Sequence, residues 1–464
     1  MAGLFDALEM GKRALATQQL WLNTIGHNIS NVASAGYTRQ RVLTNTTPAQ
    51  STPSGMVGTG VTATNVLQIR DLFLNQQYRE ENKALGQWTT LDKTLGQIQA
   101  LFSEPNTDSL SDLLDKFWSS WSDLANNPES VSARTALKEQ TNLLTNSFHR
   151  IYNQMTDMRD SVDNDVRLTV EKVNGIASEI SNLNEQIART ELGGQKANDL
   201  RDRRDYLIDQ LSQYVDVNAV EQKNNMTTVY IGALAIVDGT SSFKLGTKTV
   251  GVENATSSEI VWAGTTKTIK NLNGELKGLI DTRDDIIPKY LNYLDNLAGT
   301  LVSQVNGVHQ VGYGLDGTTG ISFFDPLHSG AATISLNDLI ANNVNRIAAS
   351  QSGEVGDNIN ALAIADLRNA ATMMRGTASF SEYYNSMIGE IASETNKAIN
   401  LKDNYGLLVQ QLDNSRQSVQ GVSLDEEMAQ MVKYQHAFDA ASRVITTMDQ
   451  ALETVIKDMG VVGR

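Results

Sequence analysis

One stretch of this chain predicts a helix far longer than a compact domain requires. From Ser130 to Gly193-Gly194, apolar residues recur at the three- and four-residue spacing of an α-helix. The line includes Leu137, Leu144, Ile151, Val166, Val173, Ile180 and Ile187. At 1.5 Å per residue, roughly sixty helical residues make a rod about 90 Å long. We therefore expect an elongated molecule.

Both ends of the chain carry narrow apolar stripes. On a predicted helix over about residues 3–30, the stripe starts at Leu4 and continues through Leu8, Leu15, Leu22, Ile25 and Ile29. Near the other end, a heptad seam comprises Leu424, Met431, Phe438, Ile445, Leu452 and Met459, with Tyr434 in the companion position. Stripes this narrow match a partner helix, so we predict that the N- and C-terminal helices pair as a coiled coil.

The middle of the chain changes period. Residues 215–274 alternate with a period of two and contain Gly and Asp-Gly turns, which indicates short strands, the last of them "KTIKNL". Helical spacing then returns, and Pro288 should break or kink the helix. The predicted fold class is mainly α with a small β-containing insert, elongated and multidomain.

The nesting of these segments predicts three domains. Residues 1–60 with 416–464 would form a terminal coiled-coil and hairpin domain. A helical rod domain would combine 61–214, 275–310 and 358–415. Residues 215–274 would form a small β-rich outer domain, with which 311–357 can be associated.

Composition excludes several functions. The net charge of −15 opposes binding to nucleic acid or to an anionic membrane. No stretch approaches the roughly 20 apolar residues of a membrane span, and the first thirty residues lack the apolar run of a cleaved secretory signal. The sequence has no cysteine, and its five histidines never occur at metal-ligand spacing. We expect no metal and no cofactor.

Two motifs could suggest catalysis. "GYGLDG", residues 312–317, matches the G-x-G-x-x-G pattern of nucleotide sites, although it follows a helical stretch where a true fingerprint follows a strand and opens a helix. We interpret it as a turn and keep a nucleotide-using enzyme as one alternative function; another axial protein or a coiled-coil adaptor is the second alternative. The charged cluster "NDLRDRRDYLIDQ", residues 198–210, is interpreted as a solvated helix face with intrahelical pairs.

The stretch "NISNVASAGYTRQRV", residues 28–42, ends the first predicted helix. Asn28 and Asn31 suit a helix end, and Gly36 permits a backbone angle that other residues resist. Tyr37 can lock the chain where it leaves the helix. The alternating segments "TRQRVLTN" and "GVTATNVLQIRD" then predict a hairpin.

The signature N-I-S-N-V-x-x-x-G-Y resembles one shared by the axial proteins of the bacterial flagellum. "SLSDLLDKFWSSWSDLANNPESVSAR" and "GVSLDEEMAQMVKYQHAFDAASRVITTMDQALETVI" are similar to stretches of the hook-associated protein 1 family. The sequence departs from that family at Ala33, Ser34 and Ala35, where Asn-Thr-Pro is common.

The resemblance implies a non-enzymatic structural subunit that joins the flagellar hook to the filament and polymerises through its terminal helices. It implies self-association and contacts with the hook protein and with a second hook-filament junction protein. It also implies an export chaperone on the C-terminal helix, bound at Met428, Met431, Tyr434 and Phe438. The location implied is extracellular, at the hook-filament junction, after type III export without a cleaved signal peptide.

Overall fold

The computed structural model describes residues 2–52, 55–102, 109–252, 255–265, 267–269 and 272–457. Helices make up most of it. In chain order they are α1 (Ala2–Ser30), α2 (Leu72–Phe102), α3 (Leu110–Asn126), α4 (Val131–Thr190), α5 (Asn198–Tyr214), α6 (Glu275–Asp281), α7 (Ile287–His309), α8 (Asp338–Asn342), α9 (Ile359–Asp366), α10 (Phe380–Gln420) and α11 (Leu424–Lys457).

The strands lie in two parts of the chain, and all their pairings are antiparallel. After α1, β1 (Gln40–Thr46) pairs with β4 (Val61–Gln68), and β2 (Gln50–Thr52) pairs with β3 (Gly55–Val57). The insert contains a sheet of order β5-β6-β7-β8 and a separate pair of β9 with β10. Its strands are β5 (Val217–Glu221), β6 (Thr227–Ile231), β7 (Leu234–Asp238), β8 (Ser241–Ser242), β9 (Leu245–Val252) and β10 (Ala255–Trp262).

Helix α4 forms the predicted rod. Its 60 residues begin at a capped end, where the Ser130 side chain accepts a hydrogen bond from the Ala133 backbone N–H. The apolar line of the sequence is buried along the whole helix, from Leu137 and Leu144 to Ile187. At its N-terminal half, α3 adds aromatic rings to the core, and Phe117 lies 6.2 Å from Phe323 between ring centroids. The rod prediction is confirmed.

Pro288 marks the predicted break. Helix α6 ends at Asp281, a π-helical turn occupies Thr282–Ile286, and α7 begins at Ile287 with the proline in its first turn. A proline is tolerated there because the first N–H groups of a helix have no intrahelical acceptor.

The predicted strand "KTIKNL" is wrong as far as it is described. Thr268 forms only an isolated bridge to Val261, and Lys270 and Asn271 lie outside the described residues. The Ile269 N–H donates to the Ile260 carbonyl at 2.9 Å, so the segment lies along the edge of β10 opposite β9 without forming a regular strand there.

Residues 311–357 and the β-rich insert contact different parts of α4. Lys138 donates to the carbonyl of Ala341 at 2.9 Å, near the N-terminus of the helix. Asn184 donates to the carbonyl of Thr227 at 2.8 Å, near its C-terminus. The division of the chain into three domains stays a prediction.

The glycine motif at 312–317 forms a turn. The Gly317 N–H donates to the carbonyl of Gly314 at 3.0 Å, and the next helix begins only at Asp338. The motif therefore opens no helix, which a pyrophosphate site of this type requires.

Candidate assembly surface of the paired terminal helices

Helices α1 and α11 pack side by side and antiparallel. Three contacts mark the register: Asn28 with Glu427, Trp21 with Tyr434, and Gly11 with Ile445. The residue numbers rise along one helix as they fall along the other, so the helices run in opposite directions. The first and last described helices of the chain are therefore neighbours in space.

Small and aromatic residues form the centre of this seam. A Cβ at Gly11 would lie 2.7 Å from Cγ1 of Ile445, so the helices approach too closely there for a larger residue. The rings of Trp21 and Tyr434 stack with centroids 4.5 Å apart. Following the heptad from these contacts, the seam positions of α1 are Ala7, Gly11, Ala14, Gln18, Trp21, Ile25 and Asn28.

The predicted leucine stripe lies beside this seam. Ile25 is 2 % exposed and belongs to the centre. The other predicted residues each come one position after a seam residue and are only half-buried: Leu8, Leu15, Leu22 and Ile29. The side chain of Leu4 lies outside the described residues. The aliphatic line thus lies beside the contact between the two helices. The contact itself is made by a glycine, alanines and a tryptophan.

On α11, most predicted seam residues face α1. Half-buried positions there include Met431, Tyr434, Phe438, Ile445 and Leu452. Leu424 is different, with 46 % of its surface exposed. The register places it beyond Ser30, where α1 has already ended, so its assignment to the intrachain seam is wrong. Met459 lies outside the described residues.

One flank of α1 is covered by the chain itself. Arg13 donates to the carbonyl of Thr59 at 3.1 Å, and a Cβ at Gly60 would lie 2.8 Å from Cγ of Met10. Residues 10 and 13 therefore face the loop between β3 and β4. Helical geometry places Leu8, Leu15 and Leu22 on the opposite flank of α1.

The uncovered flank continues onto α11. In an antiparallel pair, positions that follow the seam residues lie on the same side of both helices. Met428 follows Glu427 on α11 and is 59 % exposed. We define the leucine flank by these residues: Leu8, Leu15, Leu22, Ile29 and Met428. It is an apolar strip that the described part of the chain leaves partly open.

Asn28 joins four parts of the structure at the end of α1. Its side-chain amide donates to the Gln40 carbonyl and to the Glu427 carboxylate, both at 3.0 Å. Its oxygen accepts from the Gln40 N–H at 2.9 Å and from the Tyr37 hydroxyl at 2.7 Å. The side chain is 1 % exposed and uses all its hydrogen-bonding capacity. It therefore fixes α1, the turn at Tyr37, β1 and α11 relative to each other.

The other signature residues shape the exit from α1. The Asn31 amide donates to the His27 carbonyl at 3.0 Å and closes the helix end. Gly36 has φ of 79°, and a Cβ there would lie 2.7 Å from Cβ of Tyr206, so both conformation and space favour glycine. Burial and the carboxylates of Asp199 and Asp202 raise the pKa of Tyr37, which keeps its hydroxyl a donor.

The turn from 33 to 35 contains no proline and is held by hydrogen bonds. The Ser34 N–H donates to the Asn31 carbonyl at 2.9 Å, and the Tyr37 N–H donates to the Ser34 carbonyl at 3.2 Å. The Ser34 hydroxyl also donates to the Asn31 side chain at 3.1 Å. These bonds hold the turn.

The interpretation of residues 198–210 as a solvated helix face is wrong. Asp202 on α5 accepts from the backbone N–H of Thr38 at 3.0 Å and is 4 % exposed. Asp209 accepts from Arg79 and Arg416, both at 2.6 Å. These partners are far away in the sequence, so α5 ties the terminal pair, α2 and α10 together. The spacing of the charged residues along α5 does not indicate these long-range contacts.

The environment of α5 shifts the pKa values of two of its carboxyl groups in opposite directions. Burial raises the pKa of Asp202 to about 6, although Thr38 and Arg70 oppose it. Burial also acts on Asp209, but Arg79 and Arg416 outweigh it and lower its pKa. Asp202 is thus the member of this buried cluster that is most readily protonated.

The described residues also bear on metal binding and on membrane insertion. They contain no group of three or more histidine, aspartate or glutamate residues placed to hold a metal ion. No described helix combines the length and the apolar character that a membrane span needs.

Comparisons with known proteins point to one family. The flagellar hook-associated protein FlgK helical domain matches residues 95–324, and the flagellar basal body rod FlgEFG protein C-terminal family matches residues 415–458. The flagellar hook-associated protein 1 of Bacillus subtilis is 33% identical over 513 residues and covers 100% of both chains. The Escherichia coli protein of that name is 24% identical and covers 95% of this chain and 97% of its own.

A solved structure supports the fold. The flagellar hook junction protein FlgK from Burkholderia pseudomallei superimposes with a TM-score of 0.66 at 17% identity, and the match covers 74% of this chain and 100% of that one. At that identity the likeness concerns the fold alone. The full-length match at 33% identity carries the assignment: this chain belongs to the flagellar hook-associated protein 1 family.

Proposed function

We propose that this chain is a structural subunit of the bacterial flagellum that polymerises into the junction between hook and filament. Family membership supports the place, and the leucine flank supports the mechanism. The paired helices bury one side of each apolar stripe within the chain. The other side, the leucine flank, stays partly open and would be covered by a neighbouring subunit. Two of the three proposed domains, the terminal pair and the rod, would then have different roles in assembly.

The single observation that carries the mechanism is the incomplete burial of the terminal pair. Among the described residues of α11, only Glu427 is fully buried. Each leucine on the flank would gain apolar burial when a neighbouring subunit covers it, at about 25 cal/mol per Å². Summed over many subunits, this contact favours the polymer over the free chain.

Substitutions on the flank test the proposal. In the full chain, Leu15→Asp with Leu22→Asp should abolish incorporation at the hook tip and stop swimming, because two charges would be buried between subunits. Incorporation is measured by immunolabelling isolated hooks from a deletion strain that expresses the variant. The matched control carries Ala16→Asp with Asn23→Asp, at exposed positions of the same helix, and should assemble normally.

Equal assembly of the leucine variant and the control would contradict the mechanism. Circular dichroism of the secreted variants shows whether each is folded. A folded leucine variant that fails to assemble supports the proposal, since neither leucine is fully buried in the single chain.

The partners of the junction are the finer part of the proposal. We propose contacts with the hook protein on one side and with a second hook-filament junction protein on the other, besides self-association. Adding the purified chain to isolated hooks should give a layer that then accepts the second junction protein. Binding of the second protein to hooks that lack this chain would contradict the order.

The C-terminal helix is also the proposed binding site of an export chaperone. Met428 is exposed, whereas Met431, Tyr434 and Phe438 are half-buried against α1. A chaperone that uses all four must therefore bind α11 before it pairs with α1. Met428→Asp should weaken chaperone binding measured by calorimetry, and unchanged affinity would contradict this site.

We propose type III export without cleavage and an extracellular location at the junction. The secreted protein from a strain without hooks should have the mass of the full chain, and a shortened N-terminus would contradict uncleaved export.

We further propose that the chain is not an enzyme, since its relatives are named as flagellar proteins and the 312–317 motif is a turn. Saturable micromolar nucleotide binding in calorimetry would favour the alternative.

A further inference from the structure

The terminal pair has a second side, opposite the leucine flank. On α1 that side is covered by the hairpin that follows the helix, and Thr17 and Thr24, which precede seam positions, are buried there. In an antiparallel pair, positions that precede the seam lie on one side of both helices. On α11 these positions include Ala437, Val444 and Ala451, which we define as the alanine flank. Val444 is 44 % exposed, so this flank is also partly open.

The two flanks have complementary shapes. The leucine flank is a row of long aliphatic side chains, and the exposed ring of Phe5, three residues before Leu8, extends the row. On the alanine flank, two of the three side chains end at Cβ. A ridge of large side chains packs into the groove beside small ones. Because the flanks lie on opposite sides of one helix pair, another molecule is needed to bring them together.

The leucine side of the pair is acidic. The carboxylates that follow seam positions of α11 there, and that form no ion pair in the described part of the chain, are those of Asp425, Asp439 and Asp449. Glu453 lies on the same side but pairs with Lys457 of its own helix. The cation at the corresponding positions of α1 is Lys12. Three negative charges and one positive charge give this side a net charge of −2.

The opposite side, which carries the alanine flank, is basic. Apart from the ion pair of Arg39 with Glu426, its charged residues are Arg13, Arg41, Lys433 and Asp6. Burial raises the pKa of Tyr434 and the charge of Arg41 opposes this shift, so Arg41 on β1 lies near this part of α11. Three positive charges and one negative charge give a net charge of +2. The two sides of the terminal pair therefore attract each other between molecules.

We propose that the leucine flank of one subunit packs against the alanine flank of a second copy of this chain, with Asp439 and Asp449 facing the basic side that carries Arg41 and Lys433. Such a contact is head-to-tail, so it continues from subunit to subunit into a ring or a tube. Two leucine flanks facing each other would close a dimer and bring like charges together. The inference rests on the proposed role at the junction and names the surface that covers the leucine flank there.

Charge reversal tests which sides meet. One full-chain variant carries Asp439→Lys with Asp449→Lys, and a second carries Arg41→Glu with Lys433→Glu, all at exposed positions. Each variant alone would bring like charges together, so its incorporation at isolated hooks should fall at least about tenfold. In an equal mixture, every contact between the two variants joins opposite charges, and incorporation should return to within about threefold of the original chain.

The control for charge reversal is Asp157→Lys with Asp160→Lys, at exposed positions of α4, which should assemble normally. Circular dichroism of each variant shows that it is folded. Normal incorporation of either flank variant alone, or no recovery in the mixture, would overturn the proposal.

A single thiol gives a second test that does not depend on charge. Val444→Cys places it on the alanine flank of a chain that has no other cysteine. Its maleimide labelling should be rapid in the free chain and at least about tenfold slower in isolated hook-filament junctions. Protection of Leu15→Cys without protection of Val444→Cys would overturn this inference and leave the proposed function intact. Labelling of both in the junction would contradict the proposed function itself.

Discussion

The rod and the terminal pair use the same heptad spacing with different results. Along α4, Leu144, Phe148, Val166 and Ile180 are all 0 % exposed, because α3, α5, α7 and the insert cover the helix. Along α11, the corresponding positions are half-buried against one helix. The pattern thus predicts which face is apolar but leaves open how completely the face is buried.

The difference separates folding from assembly. A rod with a continuous buried core can be stable as a single chain. A two-helix pair with one open apolar flank gains its remaining stability from neighbours. Substitutions in the rod should therefore act on folding, and those on the leucine flank should act on assembly.

The largest expected effect is in the rod core. Phe117→Ala removes a ring that is 0 % exposed and lies among Trp118, Trp121 and Phe323, so the free energy of unfolding should fall by about 3–5 kcal/mol. Urea unfolding followed by tryptophan fluorescence measures it. Leu168→Ala, exposed on α4, should change stability by less than about 0.5 kcal/mol. Equal effects would contradict the assignment of Phe117 to a packed core.

The next effect concerns pH at the contact between rod and terminal pair. The pKa of Asp202 is about 6 in the fold and 3.8 ordinarily, so the folded chain holds this proton more tightly. That contribution to stability is fully present below about pH 4 and is lost as the pH rises through 6, by about 2–3 kcal/mol. Asp202→Asn should lack it. Urea unfolding of both proteins over this range tests the sign, and parallel pH profiles would contradict it.

Asn28→Ala should loosen the terminal pair and leave the rod unchanged. It removes four hydrogen bonds and leaves Glu427 buried without this donor, a cost of about 2 kcal/mol to the local structure. We expect faster hydrogen exchange in α11 and unchanged exchange in α4. Asn23→Ala, at an exposed position, is the control. A uniform change in both helices would show that the two regions are not separate.

Gly36→Ala should have a smaller effect, of about 1–2 kcal/mol. Its φ of 79° is strained for alanine, and the new Cβ would lie against Tyr206 of α5. A Cβ at Gly26, close to the C-terminal end of α1, meets nothing within 4 Å, so Gly26→Ala should be neutral or stabilising. Thermal unfolding of the two variants compares them, and the reverse order would contradict the close contact.

The sequence allowed the rod and the pairing of terminal helices to be predicted, because both depend on local periodicity. The centre of the pair was less accessible. Leucines drew the prediction to Leu15 and Leu22, whereas close helix approach depends on Gly11 and a ring stack depends on Trp21. Periodicity indicates which face of a helix is apolar, but it does not indicate how closely two helix axes approach.

The buried charges of α5 could not be predicted from spacing. Asp209 meets Arg79 and Arg416, which are 130 and 207 residues away. Their pairing depends on how the three helices α2, α5 and α10 pack together. The mixed charges of α5 alone would fit a solvated helix face equally well. The signature residues were easier to interpret, because the positive φ of Gly36 and the helix-end bond of Asn31 are local features, although the contact of Gly36 with Tyr206 is not.

The most direct test of the central claim uses the absence of cysteine in this sequence. Leu15→Cys gives a single thiol on the leucine flank, and its maleimide labelling rate is compared in the free chain and in isolated hook-filament junctions. Leu144→Cys, in the rod core, is the control that should stay protected in both states. We predict rapid labelling of position 15 in the free chain and strong protection in the assembled junction. Equal labelling in the two states would contradict the account, because the flank would then not be covered by neighbouring subunits.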